Sequence, residues 1–127
     1  MRVVVCVKQT PSTTAVFSVD NGIVNWDDPG GKPVVLNPWD EYAVEEAIRL
    51  QEAHGGDTIA LSMGPDTNQE ALKTCLAMGC TEAILVSDSA FEASDTLGTA
   101  KVLAAAIRKA DGIQLAFFGK QAIDGDT

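Results

Sequence analysis

Four short stretches of the chain carry the residue types that could hold a ligand: Cys6 to Gln9, Asn37 to Asp40, Met63 to Pro65 and Gly119 to Thr127. Each lies where an apolar run ends or a helix begins, and in an open parallel sheet such points gather at the carboxyl rim, where ligands bind as strand order reverses. Their backbone groups suit a base and a ribose, with Met63 as an apolar neighbour for the ring. The last stretch reads Gly119, Lys120, Gln121, Ala122, Ile123, Asp124, Gly125, Asp126, Thr127. Lys120 and N–H groups spaced by Gly119 and Gly125 favour a phosphate. Asp124 and Asp126 oppose one unless their side chains cap the loop or hold a ribose.

Catalytic and metal chemistry finds little support. His54, the only histidine, stands beside Gly55 and Gly56 at the expected end of a helix, where an imidazolium suits the helix dipole. Asp124 and Asp126 flank a glycine without a third ligand, which reads as a turn rather than a metal site. Cys6, Cys75 and Cys80 are odd in number, lie in apolar text and lack paired zinc spacing, so they are expected to be reduced core thiols, with Cys6 a small filler beside the rim. No Gly-x-Gly-x-x-Gly follows the first strand and no Gly-x-x-x-x-Gly-Lys-Ser/Thr occurs. Asp40 and Glu41, in the first turn of a helix, repel a phosphate placed there.

Bulk properties set the scale. A chain of 127 residues, 46% hydrophobic, suffices for one domain with a real core. Eighteen acidic residues against nine basic ones, a net charge of −9, repel nucleic acid and anionic membrane. Small molecules or proteins are the expected partners. Without an apolar segment approaching about 18 residues or a signal-like start, the protein is expected to be cytoplasmic, with no direct membrane insertion.

The elements that must position the rim follow in order. Residues 2–8 hold an unalternating β-branched run, as in a strand covered on both faces. Residues 17–19 and 23–26 flank Asp20-Asn21-Gly22, a hairpin turn signal, and 27–33 form a breaker-rich loop. Asn37 is expected to cap a helix over 39–53 with Pro38 at its first position, burying Ala43, Val44, Ala47, Ile48 and Leu50. A strand over 58–63 leads to a helix over 67–78 with Ala71, Leu72, Cys75 and Leu76 inward and Gly79 as its stop. A strand over 83–86 precedes a helix begun by Ser94 or Asp95, whose Leu97, Val102, Leu103, Ala106 and Ile107 cover the sheet. A strand over 113–118 completes the pattern. Right-handed crossovers make this a doubly wound, mostly parallel α/β sheet of Rossmann-like, adenine nucleotide alpha-hydrolase-like type, with a small hairpin excursion after strand one.

The text Val-Cys-Val-Lys-Gln-Thr-Pro at 5–11, Asn-Pro-Trp-Asp-Glu-Tyr-Ala-Val-Glu-Glu-Ala at 37–47, Met-Gly-Pro at 63–65, Ala-Met-Gly at 77–79 and Gly-Lys-Gln-Ala-Ile-Asp-Gly-Asp-Thr at 119–127 resembles the β subunit of electron transfer flavoprotein. The resemblance covers the whole chain but only the N-terminal portion of that subunit. It implies a single adenine-nucleotide-binding domain over 1–127, cut at its C-terminal end. It further implies a heterodimer with an α subunit that holds most of the redox FAD, itself reduced by acyl-CoA-type dehydrogenases and oxidised by a membrane quinone reductase. The resemblance also implies that the subunit is an electron carrier, not an enzyme.

Carried over position by position, the AMP pocket of the family uses Cys6, Asn37, Pro38, Trp39, Asp40, Met63 and Gly119 to Thr127, with backbone or packing roles for Cys6 and Met63. Some relatives hold a second FAD in place of AMP and bifurcate electrons from NADH. Two other readings of the same superfold are a universal-stress-type nucleotide-binding protein, whose Gly-x-x-Gly phosphate loop is absent, and a nucleotide hydrolase, for which the rim has only Lys8 and Lys120 as basic groups.

Overall fold

In the computed structural model, residues 1–27 and 34–127 are described. The expected loop at 27–33 lies outside them except for Asp27, which is the last residue of a strand instead. In chain order the elements are strands β1 (Arg2–Cys6), β2 (Gln9–Pro11), β3 (Val16–Asp20), β4 (Ile23–Asp27) and β5 (Val34–Leu36), helix α1 (Pro38–His54), strand β6 (Asp57–Met63), helix α2 (Gln69–Met78), strand β7 (Glu82–Val86), helix α3 (Thr96–Lys109) and strand β8 (Leu115–Phe118). Short 3₁₀ turns precede α2 and α3.

The β-branched run of β1 forms the sheet's interior because both of its faces find apolar cover. Val3, Val5 and Val7 pack under Val44, Ala47, Leu72 and Cys75 of α1 and α2. Val4 and Cys6 join Ile59 and Leu61, against which Leu103, Ala106 and Ile107 of α3 rest. Burying each such side chain contributes about 1.5–3 kcal/mol, so this one strand carries much of the fold's stability. The four-stranded sheet has the order β7-β6-β1-β8, with every neighbour parallel. A doubly wound α/β fold is what the alternating strands and helices demanded.

Some expectations are corrected. Asn37 precedes the helix and Pro38 occupies its first turn, but the Asn37 side chain does not cap it. Leu76 and Leu97 are exposed rather than inward, and Leu50 is only half-buried. The apolar stripe of α2 is narrow, at Ala71, Leu72 and Cys75, and the first turn of α3 borders a cleft, with Thr96 and Thr99 on its wall. The first strand ends at Cys6 and the last begins at Leu115, shorter than the apolar runs that suggested them. An antiparallel ribbon of β2 with β5 had no three-residue signal strong enough to read, and Pro11 sits at its end.

Candidate functional site

The chain leaves β1 through α1 to reach β6 on one side, and returns from β7 through α3 to β8 on the other. Strand order therefore reverses between β1 and β8, the place where such sheets open a crevice. A cleft of about 680 Å³ lies there, within the range of small-molecule sites. Of the residues expected at a nucleotide site, Cys6, Asn37, Asp40, Met63, Gly119, Lys120, Gln121, Ala122 and Thr127 line it. Pro38, Trp39, Ile123, Asp124, Gly125 and Asp126 stand outside its walls. Strand ends do not signal the opposite wall, formed by Asp95, Thr96, Thr99, Leu103 and Ile107 of the α3 region. The helix leading into β8 crosses the switch point and brings its N-terminal half to the same rim.

Three separate segments are tied together at the cleft floor. The backbone N–H of Asn37 donates to the Lys8 carbonyl at 2.8 Å. Its side-chain Nδ2 donates to the Gln121 carbonyl at 2.8 Å, and its Oδ1 accepts from the Ile123 N–H at 3.1 Å. Asn37 is thus a buried bracket between the end of β1 and the loop after β8. Proline at the next position presets the helical turn while donating no N–H, leaving the asparagine amide for this work.

One turn on, Asp40 accepts from the Lys8 N–H at 2.8 Å and is also buried. Burial raises its carboxyl above the ordinary range. Hydrogen bonds from the Lys8 N–H, the Asn37 side chain and the Gly119 N–H oppose the rise, as does the Lys8 charge. Gly119 follows β8 with no room for a side chain. A Cβ there would run into the Asp40 carboxylate and come within 2.9 Å of both the Asp40 nitrogen and the Trp39 carbonyl carbon.

The loop after β8 is folded on itself. Ala122 N–H donates to the Thr127 carbonyl and Asp126 N–H to the Ala122 carbonyl, both at 2.9 Å. Gln121 Nε2 donates to Asp126 Oδ1 at 3.0 Å, and Asp126 takes a positive φ of 55°. Lys8 Nζ meets Asp124 Oδ1 at 2.8 Å. Both aspartates therefore help to shape the loop: Asp124 is neutralised by Lys8, while Asp126 is held by a neutral amide and keeps its charge. Lys120 Nζ lies 5.4 Å from the centre of the Trp39 ring, within cation–π range. Met63, Leu103, Ile107 and Phe118 supply apolar walls, and Lys8 and Lys120 the cationic edge. Such a site can take a flat ring with a polyol and an anionic tail.

On the far wall, Asp95 caps α3 by accepting the Gly98 N–H at 2.7 Å. Asp95→Ala is expected to cost about 1 kcal/mol through loss of that cap, read as a lowered denaturation midpoint with an unchanged m-value.

Cys6 is pushed up to about 12 by burial and by the nearby Asp40 charge; Cys75 reaches about 12, and Cys80 about 11, each chiefly through burial. All three are free and buried. At pH 8 the native protein is therefore expected to resist iodoacetamide at all three thiols and to react fully in denaturant, which mass spectrometry would resolve. Among the described residues no group of three His, Cys, Asp or Glu side chains could hold a metal ion. No helix among them is long and apolar enough to cross a membrane.

The family model for the electron transfer flavoprotein domain matches residues 30–127. Over its whole length the chain is 46% identical to Protein FixA of Azotobacter vinelandii, covering 46% of that protein. It is 43% identical to the caffeyl-CoA reductase-Etf complex subunit CarD of Acetobacterium woodii, covering 48% of it. It is likewise 43% identical to the electron transfer flavoprotein subunit beta of Thermoanaerobacterium thermosaccharolyticum, again over 48% of that subunit. The chain spans about half the length of the curated relatives it matches.

Proposed function

The chain belongs to the electron transfer flavoprotein family, and we propose that it is the adenine-nucleotide-binding domain of a β-type subunit that holds AMP in the β1/β8 cleft. The observation that carries this reading is the cleft at the switch point, with its floor tied by Asn37 and Asp40. Its volume and apolar walls fit an adenine nucleotide, with Lys120 at the rim for the anionic tail. Met63 and Phe118 flank the ring, Cys6 and Val7 let it approach the end of β1, and Gly119 to Ala122 with Thr127 receive the ribose and phosphate. Pro38, Trp39 and Ile123 to Asp126 shape the loop instead of touching the nucleotide.

The whole protein would pair with an α-type subunit that holds most of the redox FAD, and would work in the cytoplasm. FAD supplies the one- and two-electron redox chemistry of such a complex, between acyl-CoA dehydrogenase-type donors and a quinone reductase. The residues here bind and orient the nucleotide, and the domain acts as a carrier's structural half, not as a catalyst.

The test is to denature the purified full-length complex and identify what it releases. One FAD with one AMP per heterodimer is the expected result. Two FADs would replace AMP with a second flavin in this cleft and point to the electron-bifurcating type. Release of no adenine nucleotide beyond a single FAD would overturn the assignment of the cleft.

A further inference from the structure

Lys120 stands between two hollows. It lines the β1/β8 cleft, and together with Phe118 and Gly119 it also lines a smaller hollow of about 310 Å³ on the α1 side of β8, whose other walls are Trp39, Tyr42, Ala43 and Phe117. Trp39 belongs to the smaller hollow and not to the cleft, yet the Lys120 Nζ lies 5.4 Å from the centre of its ring. The ring therefore backs the lysine from outside the cleft.

Of the two basic side chains on the cleft, Lys8 already sits 2.8 Å from Asp124 Oδ1. Lys120 makes no ion pair among the described residues, and its contact is with the tryptophan face, the best aromatic partner for an ammonium. Attraction for an anionic tail thus falls to Lys120. Ordering a free lysine side chain costs an appreciable part of what one phosphate contact contributes, so a lysine already held beside the site binds the more tightly. The backbone under both residues is fixed. Trp39 precedes Asp40, whose carboxylate accepts from the Lys8 N–H at 2.8 Å, and Gly119 comes so close that a Cβ there would lie 2.9 Å from the Trp39 carbonyl carbon. On its flank, the Tyr42 ring lies 6.2 Å from the Trp39 ring.

We propose that Trp39 is a positioning residue for nucleotide binding: its ring holds the Lys120 ammonium at the cleft edge for the phosphate, and so sets the preference for a nucleotide over its nucleoside without touching either. This rests on the adenine-nucleotide reading above.

The test is calorimetric titration of the nucleotide-depleted full-length complex with AMP and, separately, with adenosine. Lys120→Met is expected to weaken AMP binding about tenfold and Trp39→Leu about threefold, with adenosine affinity unchanged in both. Trp39→Phe keeps an aromatic face and is expected to fall between the wild type and Trp39→Leu. In the double variant Trp39→Leu/Lys120→Met, AMP binds no more weakly than to Lys120→Met alone, because the ring acts only through the lysine. Additive losses, an equal loss for adenosine, or an unchanged AMP affinity in Trp39→Leu each overturn the proposal. Trp39 is 38% exposed, so its replacement leaves no closed void; if Trp39→Leu nevertheless fails to assemble, Trp39→Phe takes its place in the same cycle. If the wild-type complex binds neither ligand, the adenine-nucleotide reading falls first; if it binds AMP and adenosine equally well, that reading stands and the role of Trp39 and Lys120 alone is wrong.

Discussion

Gly119→Ala is expected to destabilise the domain by about 2–3 kcal/mol, the upper part of the usual overpacking range. The new Cβ would meet backbone on the helix side, 2.9 Å from the Asp40 nitrogen and from the Trp39 carbonyl carbon, as well as the Asp40 carboxylate itself. A long side chain could swing away, but the first turn of α1 cannot: Asn37 accepts from the Asp40 N–H at 2.9 Å, and the Asn37 N–H is held by the Lys8 carbonyl. Relief must come from moving β8 away from α1 or from turning Asp40 off the Lys8 N–H. Either change opens the cleft floor, so nucleotide affinity falls together with stability. Gly125→Ala is the control. Its added Cβ would come no closer than 3.6 Å to Thr127 Oγ1, and a shift below about 0.5 kcal/mol is expected. Equal denaturation midpoints for the two variants would show that the approach of Gly119 to α1 is not a tight constraint.

The contrast between these glycines shows what the sequence made legible and what it did not. Asn21 and Gly22 announced a turn because their own backbone must take positive φ, and they do, at 48° and 77°. That requirement is local, so residue type reveals it. Gly119 is needed because a helix from another part of the chain presses on it, and no residue near it in sequence carries that information. The same division runs through the fold. The both-sided cover of β1 is written in five successive apolar residues, Val3 to Val7, whereas the exposure of Leu76 and Leu97 cannot be told from the helical spacing they share with buried neighbours. Asp95 as a cap was readable from its position before a helix. Its place on the cleft wall came from the path of the chain over the switch point, which only topology supplies. Asn37 was readable as a boundary residue and misread in its job.

That job makes Asn37→Ala the second large effect, with an expected cost of about 2–4 kcal/mol. Truncation leaves the part-buried Gln121 carbonyl and Ile123 N–H without the partners they have at 2.8 and 3.1 Å, and a polar group left unsatisfied costs about 1–3 kcal/mol where it is shielded from water. Capping would predict a smaller loss, about 1 kcal/mol, confined to helix α1; the bracket predicts that loop 119–127 loosens as well, visible as faster hydrogen exchange at Ile123. Asn37→Asp separates the two roles more sharply. A carboxylate is as good an N-cap as an amide, so a capping residue would tolerate the change. A bracket would not, because the introduced carboxylate can accept from Ile123 but faces the Gln121 carbonyl with no proton to donate. It would also lie buried near Asp40, whose carboxyl is already raised chiefly by burial. The new group's native pKa therefore rises above its unfolded value, the native state binds more protons, and stability recovers as pH falls. Asn37→Asp is expected to be the less stable of the two variants at pH 8 and to close most of that gap by pH 5, in paired urea titrations. A tolerated Asn37→Asp at pH 8, with unchanged exchange at Ile123, would return Asn37 to an ordinary cap and leave the loop after β8 to be held by its own hydrogen bonds.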